Sequence, residues 1–317
     1  MLTARTYGPA KRLKPFAQRF ATSLSGNYQA YLLMLPALLY FAVFHYGPMY
    51  GVQIAFKKFM AIRGIWGSPW VGLEHFNRLF HSFQFWALVE NTVMLSVLNL
   101  AFGFPIPILF ALLLNQITNR RVRKVVQNVT YAPYFLSTIV VVSLVMVFTS
   151  IDSGLINHLA VAMGRNRFHY MGSSAWFRPL YIISEVWQRT GWDSIIYVAA
   201  LAAVSPELHE AAMVDGASKI QRIRHVDLPA IMPTAVILLI LRSGQLMKLG
   251  FEKAFLMQNP LNLNASEIIS TYVYKMGVQQ AQFSFAAATD LFNSVINVVL
   301  IVSVNMISRK LGDTSLW

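Results

Sequence analysis

Glu185, Arg189 and Asp193 recur at every fourth position inside an otherwise apolar stretch. On a helix that spacing places all three on one face, with the arginine able to pair with either carboxylate. Ionisable groups at membrane depth are costly to desolvate, so each needs a partner or a task. Two tasks fit this triplet. One is a self-neutralising ladder that stabilises a buried helix. The other is a polar wall along which a solute passes, with Trp187, Gln188 and Trp192 offering stacking faces and hydrogen bonds to sugar rings. A second set, Arg242, Gln245, Lys248 and Glu252, poses the same choice. Arg242, Gln245 and Lys248 share a broad helical face that would attract an anionic solute. Alternatively they pair with acids on neighbouring helices, and Lys248 extends along its stem towards an interface. Asn293 and Asn297, also four apart, either line a pathway or tie helices together. Glu90 and Asp290 fall near the ends of apolar stretches, where structural contacts are expected.

Residues that could break or make covalent bonds are scarce by comparison. The chain has no cysteine, which excludes disulfides, thiolate metal sites and thiol nucleophiles. Its seven histidines show no ligand spacing, so no metal site is expected. There is no Gly-rich phosphate loop and no nucleophile elbow, so neither ATP hydrolysis nor acyl transfer is expected of the chain itself. Transport remains as the task for the polar residues.

The elements that must position them are membrane helices. Of 317 residues, 56% are hydrophobic and 12% charged, too apolar for a soluble domain. The net charge of +13 is spread over loops rather than gathered in one basic region. That argues against nucleic acid and for basic segments beside a membrane. A crossing helix needs about 20 apolar residues, and six stretches qualify: 28–56, 87–116, 125–150, 178–204, 230–257 and 285–308. The first is too long, and lacks the small-residue site, for a cleaved signal. Its aromatic stripe from Tyr28 to Tyr46 suits lipid and the interface. Pro36, Pro48, Pro105, Pro107, Pro133 and Pro233 predict kinks. Basic residues precede the first span (Arg5, Lys11, Arg12, Lys14, Arg19), separate the second and third (Arg120 to Lys124) and follow the sixth (Arg309, Lys310). With six crossings all three groups fall on one side, which the positive-inside rule makes cytosolic. The predicted organisation is a cytosolic basic segment 1–27, a six-span domain 28–308 and a cytosolic tail 309–317. On the other side, Trp66 to Trp70 forms an aromatic, turn-rich stretch, and Asn264 to Glu267 reads as the capped start of a short amphipathic helix.

Between the fourth and fifth spans lies a charged, small-residue island, 205–229. Ser205 can cap a helix, Pro206 suits its first position and Glu207 complements the dipole. Ala211 and Ala212 leave a flat face, Gly216 permits a break, and Leu228-Pro229 opens the next span. A short helix, a turn and a second short helix are predicted, presented at the cytosolic surface for docking. Glu210-Ala211-Ala212, Gly216 and Val226-x-Leu228-Pro229 resemble the EAA loop of ABC-importer permeases, and Asp215-Gly216-Ala217 has the sugar-importer form. Asn91-Thr92, the run from Asn99 to Pro105, Tyr131-Ala-Pro-Tyr134, Phe177-Arg-Pro-Leu180, Gly277 and Ser315-Leu-Trp317 are similar to the subgroup importing complex oligosaccharides and polysaccharides. The resemblance covers essentially the whole chain; Val226 stands where isoleucine is commoner.

That resemblance implies an all-α integral membrane protein with six transmembrane helices, the type I ABC importer permease fold and a cytosolic coupling helix. Glu210, Ala211, Ala212, Asp215, Gly216, Ala217, Leu228 and Pro229 would form the element that seats in an ATPase cleft. Gln188, Arg189, Trp192, Arg242, Gln245, Lys248 and Asn293 are the candidate substrate pathway. Implied partners are a homologous second permease, an ATPase dimer that uses ATP and Mg, a periplasmic or extracellular substrate-binding protein and membrane lipid, in a bacterial cytoplasmic (inner) membrane. No cofactor and no nucleic acid is expected on this chain. The expected cargo is an oligosaccharide or polysaccharide, acidic and alginate-like, moved by alternating access; neutral oligosaccharide is the alternative. An ion-coupled secondary transporter, with Glu185 or Asp193 as ion sites, predicts internal repeats that the sequence does not show, and leaves the docking loop without use.

Overall fold

The computed structural model describes residues 28–244 and 250–311. Its regular elements are helical, and among the described residues β pairing is confined to two isolated bridges, Lys57 with Trp70 and Met60 with Gly64. The chain divides into two units between Gln53 and Ile54. In the first unit, helix α1 (Tyr28–Phe41) contains Pro36 and runs into a π-helical turn, Ala42–Tyr46. Pro48 follows directly and has no N–H to donate, so the helix widens, with the Gly47 N–H bonding Ala42.

The second unit contains α2 (Glu74–Phe80), α3 (Phe85–Gly103), α4 (Pro105–Asn115), α5 (Arg120–Tyr131), α6 (Thr138–Phe148) and α7 (Leu155–Ala162). It continues with α8 (Ser174–Ala202), α9 (Pro206–Val214), α10 (Lys219–Ser243), α11 (Phe251–Met257), α12 (Ile269–Tyr274) and α13 (Phe283–Leu311). Helix α8 is the axis of the packing and touches α3, α4, α5, α6, α10 and α11. Near its N-terminal end Phe177, Tyr181 and Ile182 are buried with Leu95, Val142, Ala254, Met257 and Ile268. Near its C-terminal end Tyr197 and Leu201 are buried with Ala111, Leu112, Ile231 and Ala235. A third cluster joins α2, α3, α12 and α13 through Leu79, Leu88, Ile269, Tyr272 and Phe285. At the middle of α8, a Cβ on Gly191 would lie 2.1 Å from the Thr130 carbonyl oxygen. Only glycine lets α5 approach this closely.

Four stretches are long and apolar enough to cross a bilayer, Tyr28–Phe56, Phe85–Asn115, Lys219–Ser243 and Phe283–Ser303. Two bent pairs raise the number to six: Arg120–Phe135 with Thr138–Phe148, at 101°, and Ser174–Ala202 with Pro206–Val214, at 72°. Three expectations are corrected. The third span is not one helix over 125–150; it breaks at a 3₁₀ turn, Ala132–Phe135, where Pro133 withholds a donor and Ser137 caps α6. The fifth ends at Ser243 rather than 257, and Phe251–Met257 is a separate short helix. Its start is also earlier: the second helix of the docking island is not separate but runs from Lys219 through a π segment, Ile223–Asp227, into the span. Pro229, which lacks the N–H that would bond the His225 carbonyl, again follows the π segment closely.

Candidate functional site

The docking island folds from purely local signals. The Ser205 hydroxyl accepts from the Glu207 N–H at 3.3 Å and Pro206 occupies the first position of α9. The helix ends in a Schellman turn: the Gly216 N–H bonds the Met213 carbonyl at 3.1 Å, and the Ala217 N–H bonds Ala212 at 2.9 Å. Gly216 takes the required left-handed conformation, with φ of +76°. Ser218 and Gln221 then form a reciprocal capping box at the start of α10. No residue of α9 is buried. Glu210, Ala211, Asp215, Gly216 and Pro229 are exposed, while Ala212, Ala217 and Leu228 are half-buried. Leu208, Met213, Val214 and Ile220 are exposed apolar side chains around the turn. A 280 Å³ hollow beside them is lined by Ala212, Asp215, Gly216, Gln221, Arg222 and His225, among others.

Midway along α8 the charged triplet does not act as a closed ladder. Glu185 accepts from Lys253 Nζ at 2.8 Å, and Asp193 pairs with Arg242, which also donates to the Gly103 carbonyl at 2.8 Å. Arg189 stands 3.8 Å from Glu185 and 3.6 Å from Asp193, beyond hydrogen-bond distance of both. Its side chain is 49% exposed, whereas Lys253 is 4% exposed. Beside it the Tyr134 and Trp192 rings stack at 4.4 Å and 3°, Phe135 meets Trp192 edge-on, and the Arg189 guanidinium lies 5.9 Å from the Tyr134 ring centre. Arg189, Trp192 and Arg242 are thus brought together. Gln188 is turned to the backbone, donating to the Leu136 carbonyl at 2.9 Å where the third span bends. Asn293 is buried on α13, and its carbonyl accepts from Asn297 Nδ2 at 3.1 Å. Gln245 and Lys248 lie outside the described residues, as do residues 1–27 and the terminal Ser315-Leu-Trp317.

At the far end of α8, Arg178 donates to Asn91 Oδ1 at 2.9 Å, and Asn91 donates to the Asn264 and Glu267 carbonyls at 2.8 and 3.1 Å. The Ile269 N–H bonds Thr92 Oγ1 at 3.0 Å. The Asn91-Thr92 and Phe177 to Leu180 motifs therefore lock three elements into one joint. The expected capped amphipathic helix is corrected here: Asn264 accepts from Ser174 instead of capping, Thr271 holds the Ile268 N–H, and Ile268, Ile269 and Tyr272 are buried. Burial, partly offset by the Arg78 charge, pushes the Tyr272 hydroxyl pKa up and keeps this joint neutral. Glu90 and Asp290 are exposed rather than packed. Sequence reasoning missed Lys253, whose one signal was a lysine in an apolar run, and Asp227, hidden among the basic residues of the island. It gave Tyr134 and Phe135 no place in a site.

The polygalacturonan/rhamnogalacturonan transport system permease protein YteP of Bacillus subtilis (strain 168) is 42% identical over 321 residues, covering 100% of both chains. A bacterial ABC transporter involved in the import of the acidic polysaccharide alginate superposes with a TM-score of 0.86 at 39% identity, over 92% of this chain and 99% of that one. The alginate transporter in complex with its alginate pentasaccharide-bound periplasmic protein gives 0.87 at 38% identity, over 94% and 100%. The family model described as the binding-protein-dependent transport system inner membrane component matches residues 91–313, from the Asn91 joint through the docking island to the last helix, and the chain belongs to that family.

Proposed function

We propose that the chain is the membrane-spanning subunit of an ATP-driven importer of acidic saccharides. The observation that carries the acidic reading is the charge arrangement at mid-α8. Among the described residues there, Arg189, Arg242 and Lys253 face two carboxylates, and Arg189 is the half-exposed cation left without a hydrogen-bonded acid. A guanidinium at that depth is too costly to face lipid, so it faces a water-filled path. A sugar ring can stack on the Tyr134–Trp192 pair while a uronate carboxylate takes Arg189 through paired hydrogen bonds. Gln188, Arg242 and Asn293, with Gln245 and Lys248, would flank this route. The named cargoes of the similar proteins, a polygalacturonan and alginate, are both carboxylated chains.

The driving subunits would dock on Glu210, Ala211, Ala212, Asp215, Gly216, Ala217, Leu228 and Pro229, covering Leu208, Met213, Val214 and Ile220. An ATPase pair would bind and hydrolyse ATP with Mg; this chain supplies the moving path and binds no nucleotide. A homologous second permease would complete the path, and an external binding protein would deliver cargo at the Asn91–Arg178 end. Both chain termini would lie in the cytosol.

The test is ATP hydrolysis and uptake by the complex in liposomes with its binding protein, using uronate and neutral oligomers. Uronate oligomers should stimulate both. Arg189→Ala should lower uronate uptake about ten- to a hundredfold, the scale of a lost hydrogen bond to a charged group, with neutral uptake far less affected. Stimulation of the wild type by neutral sugars, or equal losses in the variant, refutes the acidic reading. Failure of any ATPase to co-purify refutes the importer.

A further inference from the structure

The Asp227 carboxylate is fully buried at the last position of the π segment in α10. An isolated buried carboxylate is strongly disfavoured, so its partners define its role. His209 Nε2, from the docking helix α9, lies 3.3 Å from Oδ1. Gln116 Nε2, just past the end of α4, donates to Oδ2 at 3.1 Å, and Asn115 Nδ2 stands 3.5 Å from Oδ1. The same chain end is held from the other side by Arg123, which donates to the Ile117 carbonyl at 2.7 Å and the Asn115 carbonyl at 3.2 Å. One carboxylate therefore joins three moving parts: the docking helix, the end of the second span and the root of the fifth. Because α9 has no buried residue, its apolar grip on the spans is shallow. A polar knot in a dry site supplies the stiff link that such a helix otherwise lacks.

We infer that Asp227 is the positioning residue through which displacement of α9 is passed to the second and fifth spans, acting through His209 and Gln116. This rests on the importer reading above. The π segment serves it directly: an extra residue in the turn rotates Asp227 inwards, towards α4 and His209, while the rest of the island stays exposed.

The experiment uses the whole complex with its ATPase and binding protein in liposomes and reads saccharide molecules moved per ATP hydrolysed. Asp227→Asn keeps the shape of the side chain but removes its charge and turns an amide towards His209 and Gln116. Its transport-to-hydrolysis ratio should fall about tenfold, the effect of one lost charge-assisted hydrogen bond on an equilibrium. Basal ATP hydrolysis and the KM for saccharide should not change. His209→Gln, at a half-buried position, should lower the ratio in the same direction, and the double variant should be no worse than Asp227→Asn alone. If Asp227→Asn fails to assemble, His209→Gln decides. Uptake and hydrolysis falling in proportion, or an unchanged ratio in an assembled variant, overturns the inference. A wild-type complex without ATP-driven uptake instead overturns the importer reading, and the two failures are distinguishable in the same preparation.

Discussion

Lys253 and Glu185 show what a single residue contributes at depth. Both are largely buried, joined at 2.8 Å, with the ammonium 4.9 Å from the Tyr181 ring centre. Replacing such a pair with apolar groups is often neutral, whereas removing one member strands the other. Lys253→Met should therefore destabilise the fold by about 3–5 kcal/mol, read as a lower melting temperature in detergent. The double variant with Glu185→Met should recover most of the loss. The sequence made Glu185, Arg189 and Asp193 conspicuous through their spacing, because a four-residue interval is a property of one helix. It could not show that Lys253 and Arg242 claim two of the three, since those pairings cross 68 and 49 residues of chain. Partner choice across helices is set by packing, which leaves no periodic trace.

At the scale of elements, most of what local chemistry dictates was legible. Ser205, Pro206 and Gly216 mark the ends of α9 as the residue types require, and the caps are formed as expected. Gly216→Pro fixes φ near −65°, against the observed +76°. The protein should still insert, but the complex should hydrolyse ATP without moving saccharide; normal uptake by this variant would refute a coupling role for the turn. What the sequence left hidden were the departures from regular helix. Hydropathy merges 120–148 into one span because every segment is apolar enough, whereas the 101° bend depends on Pro133 and on the Ser137 cap acting together. The π segments before Pro48 and Pro229 are equally silent in a hydropathy profile. Yet each lies where a proline removes a donor, so a proline at a span's entry is worth testing for a widened turn.

Across the whole molecule, the exposed Glu90 and Asp290, set in apolar helices α3 and α13, show that one copy of this chain does not finish its own surface. The docking island shows the same incompleteness in water, with Val214 87% and Ile220 77% exposed. The turn at Gly216 closes through main-chain bonds to Ala212 and Met213, and it meets no side chain within 4 Å. Its shape is thus independent of the residues it displays. Leu208, Met213, Val214 and Ile220 can change without refolding the loop, as the faces of a key can be cut without altering its shank. Exchanging those four for the corresponding residues of a permease that uses a different ATPase should redirect which ATPase co-purifies, while the melting temperature stays within about 2–4 °C, the shift expected from about 1 kcal/mol. Loss of the fold on exchange would show that the side chains hold the turn. Retention of the original ATPase would place recognition elsewhere. Main-chain closure thus makes the engine of this transporter interchangeable, so a bacterium could run several uptake systems from one motor.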